Sequence, residues 1–240
     1  RRCELYSQTV MTEPVQISPY LTPGSTLVKK RKRPISNLPY MIKGNMPYDG
    51  GYLLMDVTTK NHFVEQDRRV LQYMRRIVGS DEFINGIERW CFWITDDKAD
   101  AALEIPIIRE RADLVRDLRL SKSDKSAQRL AAYPYRFREM HETTTNSLVI
   151  PSVSSENREY VPVGFIDKKT VVTNLAFVIY DCDPWIFGVV SSKMHNLWIK
   201  AVCGGLETRI RYSSELGYNT FPFPAITDEQ KKDIRNCVNQ

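Results

Sequence analysis

The spacing of apolar residues predicts several helices. Between 107 and 120 apolar side chains recur every three or four positions, as on one face of an amphipathic helix, at Ile108, Ala112, Val115 and Leu118. A longer helix is predicted from Asp183, with Pro184 at its first position and Gly204 at its end. Its apolar stripe comprises Ile186, Val189, Val190, Met194, Leu197 and Ala201.

Shorter helices are predicted elsewhere by their capping residues. Segments 67–79 and 80–90 have helical patterns, and Ser80 fits the N-cap of the second because Asp81 and Glu82 follow in its first turn. A last helix is predicted near Thr227, where Gln230 three residues later completes a capping box.

Strands are predicted where Val, Ile and aromatic residues cluster between turn residues. The turn 44–51 leads into an apolar run at 52–55, and the run 90–94 is bounded by polar residues. Three more strands, predicted at 147–152, 159–164 and 170–180, are expected to form an antiparallel meander. The expected fold class is therefore α+β, a mixed or antiparallel sheet with flanking helices and a helical C-terminal end.

Composition places the chain among ordinary globular proteins. It has 240 residues, 42% of them hydrophobic and 26% charged. No apolar run approaches the length of a membrane span, so no membrane partner is expected. The five cysteines form no Cys-x-x-Cys pair and do not cluster with the three histidines. This pattern predicts a cytoplasmic location and neither a disulfide framework nor a metal site.

The formal net charge of +5 is concentrated in the first sixty residues. Five consecutive cations, at positions 29–33, belong at the surface because like charges repel within a packed element. Two interpretations of Lys30, Arg31 and Lys32 stay open: they contact a phosphate backbone, or they are a solvated run.

Catalytic motifs are missing from the sequence. It has no Gly-x-Gly turn for a methyl-donor cofactor, no Walker loop and no nucleophile elbow. Asn37-Leu38-Pro39-Tyr40 resembles an adenine-methylating loop, but Leu38 replaces its first proline. No catalytic residue is therefore assigned. The alternatives are a methyltransferase or nuclease fragment that uses this loop or scattered carboxylates, and a protein-interaction module.

Several strings in a fixed order resemble the target-recognition region of MmeI-like restriction–modification enzymes. They are Gly44-Asn45-Met46-Pro47, Arg89-Trp90-Cys91, Pro162-Val163-Gly164-Phe165, Phe187-Gly188-Val189-Val190 and Tyr218-Asn219-Thr220-Phe221-Pro222-Phe223-Pro224. The resemblance covers nearly the whole chain from about residue 30. One departure is Gly204-Gly205-Leu206, where that family usually has Gly-Arg-Leu, so a cation expected there is missing.

The resemblance implies a function in DNA recognition. It implies that residues 37–224 form a DNA target-recognition domain, that 1–36 link it to an upstream methyltransferase domain, and that 225–240 begin a helical segment. The parent protein is then expected to be an N6-adenine DNA methyltransferase, with or without endonuclease activity. S-adenosylmethionine is expected in the parent only, and double-stranded DNA is the expected partner.

Candidate DNA-contacting residues fall into two further groups, each with a structural alternative. The resemblance implies base contacts from Arg136, Arg138 and Glu139, which are otherwise charges on an aromatic-anchored loop. Polar side chains at a turn and cations after the long helix could hold phosphates, or could reflect turn chemistry and a surface ion pair. This second group comprises Ser154, Ser155, Asn157, Arg158, Arg209 and Arg211. His195 is expected to be a hydrogen-bonded core residue.

Overall fold

The computed structural model describes residues 4–7 and 10–239. Residues 1–3 and 8–9 of the predicted linker 1–36, including Cys3, lie outside the described residues. The chain contains both helices and short strands, and the strands form antiparallel and mixed sheets, which confirms the predicted α+β class. The predicted helical C-terminal end is also present.

The strands are short. They are β1 (Leu5–Ser7), β2 (Val10–Thr12), β3 (Ile42–Lys43), β4 (Leu54–Asp56), β5 (Met74–Val78), β6 (Arg89–Phe92), β7 (Ser147–Pro151), β8 (Val153–Ser154), β9 (Gly164–Ile166), β10 (Val171–Val172), β11 (Ala176–Ile179), β12 (Gly205–Leu206) and β13 (Arg209–Arg211). The helices are α1 (Val57–Gln66), α2 (Ser80–Asn85), α3 (Ala99–Leu103), α4 (Pro106–Leu120), α5 (Lys125–Leu130), α6 (Pro184–Val190), α7 (Lys193–Val202) and α8 (Asp228–Val238).

The chain divides into two compact units. Unit 1 combines the residues up to Met41 with Val153–Val161 and the residues from Pro184 onward. It contains the β1–β2 hairpin, the three-stranded sheet β12-β13-β8, and helices α6 to α8. A Cβ atom at Gly188 would lie 2.5 Å from the Cγ2 atom of Ile234, so this glycine lets α6 and α8 pack closely.

Unit 2 comprises Ile42–Ser152 and Pro162–Asp183. It holds two four-stranded sheets, β10-β5-β6-β4, which is mixed because β10 runs parallel to β5, and β3-β11-β7-β9, which is antiparallel. Its largest core joins apolar residues of the first sheet with the inner face of α4, including Ile77, Phe92, Ile108 and Val115.

Segment 67–90 differs from the prediction of two helices. Residues Arg68–Tyr73 form a 3-10 helix, but Met74–Val78 is strand β5. Because β5 pairs with β6 on one side and β10 on the other, tertiary pairing overrides the local helical pattern. Helix α2 ends at Asn85 with Gly86 as its C-cap, and Gly79, not Ser80, is its N-cap.

The predicted long helix is two helices. Ser191 donates a 2.7 Å hydrogen bond from Oγ to the carbonyl of Phe187, and the Ser192 side chain caps α7 by accepting from the His195 amide. The break changes which residues are covered. Met194 and Leu197 are 68% and 58% exposed, whereas their neighbours His195 and Asn196 are buried.

The predicted meander is also rearranged. Strand β7 lies between β9 and β11, so the pairing is antiparallel as expected but the order is not that of the sequence. Segment 159–164 is not a strand until Gly164. Segment 170–180 holds two strands, and β10 joins the other sheet.

Candidate nucleic-acid interface

Two groups of predicted site residues that are far apart in the sequence meet in the small sheet of unit 1. Strand β13 pairs with β8, so that Ile210 lies opposite Ser154 and Arg211 lies opposite Val153. Strand β12 continues the sheet on the other side of β13. The cations after α7 and the polar turn after β8 are therefore neighbours, which the sequence alone did not indicate.

The two faces of this sheet differ in character. Ser154 is 3% exposed, and its Oγ atom has no hydrogen-bond partner among the described residues. Successive side chains of a strand point to opposite faces, so Arg209 and Arg211 project away from the face of Ile210 and Ser154. Both arginines are exposed. Ser154 thus belongs to the covered face, whereas the arginines are accessible to a ligand.

A polar loop follows β8 and borders the arginines. Ser155 shapes it, because its Oγ accepts from the Asn157 amide at 3.2 Å and its carbonyl accepts from the Arg158 amide at 3.2 Å. Glu156 ties the loop to the β12–β13 turn by accepting from the Thr208 hydroxyl at 2.6 Å. This hydrogen bond lowers the pKa of Glu156 below its ordinary value. Asn157 and Arg158 remain exposed.

We call Asn157, Arg158, Arg209 and Arg211 the hairpin surface. Within it, Arg209 pairs with Glu207 at 2.8 Å, but both side chains are largely exposed. Exposed ion pairs contribute at most about 1 kcal/mol, so Arg209 can exchange Glu207 for another acceptor at little cost. Guanidinium groups suit the paired acceptors of guanine or a phosphate, and the Asn amide suits adenine.

The basic run is anchored through its backbone. The Arg31 amide donates to the Glu215 carbonyl at 3.1 Å, and the Arg31 carbonyl accepts from Nδ2 of the buried Asn219 at 2.8 Å. The side chains of Lys30, Arg31 and Lys32 are exposed. Unit 1 therefore fixes the path of this segment while leaving its cations accessible.

The predicted base-contacting loop in unit 2 is already ion-paired. Arg136 contacts Asp96 at 2.6 Å, and Arg138 contacts Glu139 at 3.2 Å. Asp96 also accepts from the Tyr135 hydroxyl at 3.0 Å. Burial and this hydrogen bond raise the pKa of Tyr135 to about 12. Each of these three charged residues therefore already has a partner within the protein, and a DNA contact would use its remaining donor or acceptor sites or replace that partner.

A buried arginine holds this loop in place. Arg119 is completely buried, and its guanidinium donates to five backbone carbonyls at 2.8 to 3.2 Å. They belong to Pro47, Tyr48, Leu130, Tyr133 and Arg136, and we call them the carbonyl cradle. Burial lowers the pKa of Arg119 from its ordinary value. The sequence carries a signal for this burial, because Arg119 follows Ile108, Ala112 and Val115 at helical spacing.

His195 confirms the prediction of a core residue. It is fully buried, its Nε2 lies 2.9 Å from the Tyr212 hydroxyl, and its ring packs edge-on against Phe221 at 4.6 Å between centroids. Burial lowers the pKa of His195 to about 4, so it is neutral near pH 7.

The described residues provide neither a metal site nor a membrane-spanning helix. Within residues 4–7 and 10–239, no group of three or more His, Cys, Asp or Glu side chains is placed to hold a metal ion. No helix in the described part of the chain is long and apolar enough to cross a membrane.

Comparison with known proteins identifies the family. Residues 23–225 match the family model described as "MmeI, target recognition domain". The chain belongs to this family. A curated relative of the target recognition domain, DNA methyltransferase A of Bacillus subtilis (strain 168), is 43% identical over 223 residues, which are 92% of this chain and 25% of that protein.

A solved structure shares the fold of this target recognition domain. It is the type IIL restriction-modification enzyme MmeI in complex with DNA, with a TM-score of 0.89 and 38% identity. The match covers 96% of this chain and 31% of the MmeI chain. The target recognition domain therefore spans only about a quarter to a third of the proteins that it matches.

Proposed function

We propose that this chain recognises a specific sequence in double-stranded DNA on behalf of a larger adenine methyltransferase or restriction–modification enzyme. The observation that carries the proposal is the convergence of Asn157, Arg158, Arg209 and Arg211 on one exposed surface in a member of the MmeI target recognition domain family. The relatives support it, since one is named a DNA methyltransferase and another was solved with DNA.

The hairpin surface supplies donors of two kinds. Arg209 and Arg211 extend from β13, the middle strand of the small three-stranded sheet. Strands of DNA-binding proteins can enter the major groove, where bidentate arginines distinguish guanine. Asn157 and Arg158, at the tip of the adjoining loop, suit adenine or phosphate oxygens. Lys30, Arg31 and Lys32 add contacts to the backbone of the DNA. Arg136, Arg138 and Glu139 remain candidates for base contacts in unit 2.

The chemistry belongs to the parent protein in this proposal. S-adenosylmethionine binds to an upstream methyltransferase domain, and this chain supplies no catalytic group. Residues 1–36 connect the two, residues 37–224 read the DNA, and 225–240 begin a helical segment. The parent acts in the cytoplasm in this proposal, in keeping with the cysteine pattern of the chain.

A selection experiment tests the readout directly. The chain is incubated with a pool of random duplexes, and bound sequences are compared for wild type, Arg209→Ala and Arg211→Ala. We expect one enriched motif for wild type and a relaxed preference at one or two positions for each variant, a loss of about 1–3 kcal/mol in discrimination. Arg69→Ala is the matched control, because Arg69 is an exposed arginine of unit 2 paired with Asp67 two residues away. Variants that select the wild-type motif unchanged would refute the assignment of these arginines.

A further inference from the structure

A basic cleft lies in unit 2, apart from every residue assigned above. Its volume is about 590 Å³. Four cations and two carboxylates are among its lining residues, which gives a formal net charge of +2; these six are Arg75, Arg76, Lys168, Lys169, Glu142 and Asp167.

Both carboxylates already have partners. Glu142 accepts from Nε1 of Trp93 at 2.9 Å and pairs with Arg75 at 3.0 Å. Asp167 accepts from the Lys169 amide at 3.0 Å and from the Thr170 hydroxyl at 2.7 Å, so it shapes the turn that presents the lysines. Both carboxylates therefore hold cleft-lining residues in position.

Three cations remain unpaired. Across the described parts of the chain, no carboxylate lies within ion-pairing distance of Arg76, Lys168 or Lys169, and all three are exposed. Their positions are set by one sheet: Arg76 is on β5, and the lysine turn leads into β10, which pairs with β5 with Val171 opposite Ile77. The cleft thus holds three positive charges on a fixed frame.

The cleft does not suit an inserted base. Its aromatic residue, Trp90, is already engaged: the Lys60 ammonium lies 4.6 Å from its ring centroid, and its Nε1 donates to Glu88 at 2.8 Å. Lysine ammonium groups are compact, strongly hydrated charges that bind phosphate without reading sequence.

We propose that Arg76, Lys168 and Lys169 grip the sugar–phosphate backbone of the DNA and supply affinity without specificity. This inference rests on the proposed function, because it takes the same DNA as the ligand. It predicts two distinct effects. Substitutions in the hairpin surface alter the selected motif, whereas substitutions in the cleft alter only the affinity for DNA.

The test replaces all three cations by glutamine and measures binding to the wild-type motif and to a scrambled duplex between 50 and 300 mM salt. Each lost phosphate contact makes the slope of log K against log salt less steep by about 0.9. At 0.1 M salt this corresponds to a loss of about eightfold in affinity. We expect the slope of the triple variant to be less steep than that of wild type by about 2 to 3. Its affinity should fall by the same factor for both duplexes. Lys168→Gln/Lys169→Gln, which leaves β5 unchanged, should show about two thirds of the effect.

The control removes the same charge elsewhere in unit 2. Lys122→Gln/Lys125→Gln/Arg129→Gln lies on the exposed α4–α5 segment and should leave the slope near that of wild type. An equal loss in this control, or an unchanged slope in the cleft variant, would overturn the proposal while leaving sequence recognition intact. Absence of salt-sensitive binding by the wild-type chain would instead count against the proposed function itself. If the triple cleft variant bound the wild-type motif more weakly but the scrambled duplex as before, the backbone proposal would also be overturned. The cleft would then be assigned to base readout.

Discussion

Removing the Arg119 guanidinium should strongly destabilise unit 2. In Arg119→Met the buried volume is kept, but the five carbonyls of the cradle lose their donor. Two of them keep another bond, since Leu130 accepts from the Tyr133 amide and Tyr133 from the Arg136 amide. The carbonyls of Pro47, Tyr48 and Arg136 carry most of the penalty.

The magnitude follows from the cost of unsatisfied buried acceptors. Each costs about 1–3 kcal/mol, so three give about 3–9 kcal/mol before relaxation. Water entry and the apolar Met side chain offset part of this, and we expect a loss of about 3–5 kcal/mol. Arg119→Lys should fall between Met and wild type, because lysine keeps the charge but has three donors where arginine has five.

Urea unfolding and hydrogen exchange measure the effect. Exchange separates unit 2 from unit 1, and we expect the Arg138 amide, which donates to the Met46 carbonyl at 2.9 Å, to lose protection first. Arg116→Met is the control: Arg116 is on the same helix but exposed and paired with Asp113, so its loss should change stability by less than about 0.5 kcal/mol. Equal midpoints for Arg119→Met and Arg116→Met would refute the role of the carbonyl cradle.

Two further predictions concern the stability of unit 1 and the absence of cofactor binding by this chain. The folded-state pKa of His195, about 4, lies below its ordinary value of 6.5. Between these pH values the unfolded chain binds more protons than the folded chain, so folding becomes less favourable as pH falls. The free energy of unfolding of unit 1 should therefore decrease by up to about 3 kcal/mol between pH 6.5 and pH 4. His195→Gln should lose that dependence in pH-dependent urea titrations and the exposed His62→Gln should keep it; identical profiles for all three would contradict the assignment. Calorimetry with S-adenosylmethionine should show no stoichiometric binding to this chain, and clear binding would revive the catalytic alternative.

The sequence predicted those elements that are stabilised by contacts between residues close together in the chain. Helix α4 appears where apolar residues recur at helical spacing, and the capping box of Thr227 and Gln230 begins α8. Within the predicted turn 44–51, Gly50 and Gly51 have positive φ angles of 67° and 90°, which glycine adopts without strain. In each case the decisive contacts join residues within a few positions of one another.

Non-local contacts decided the rest. Strand β5 contains Arg75 and Arg76, which look like the polar face of a helix until β6 and β10 pair with it. The hairpin surface could not be inferred because Ser154 and Ile210 become neighbours only through folding. For Arg119 the helical spacing with Ile108, Ala112 and Val115 indicates burial, but its acceptors are backbone groups and leave no mark in the sequence.

The division of the chain into interleaved units limits how it can be shortened or recombined. Unit 1 is assembled from three separate stretches, and both gaps between them are filled by unit 2. The strand that carries Arg209 and Arg211 completes its sheet with β8, which is synthesised more than fifty residues earlier, so the hairpin surface can form only after β13 has emerged. A truncated chain that ends before β12 would retain the polar loop after β8 and lose the strand that positions it.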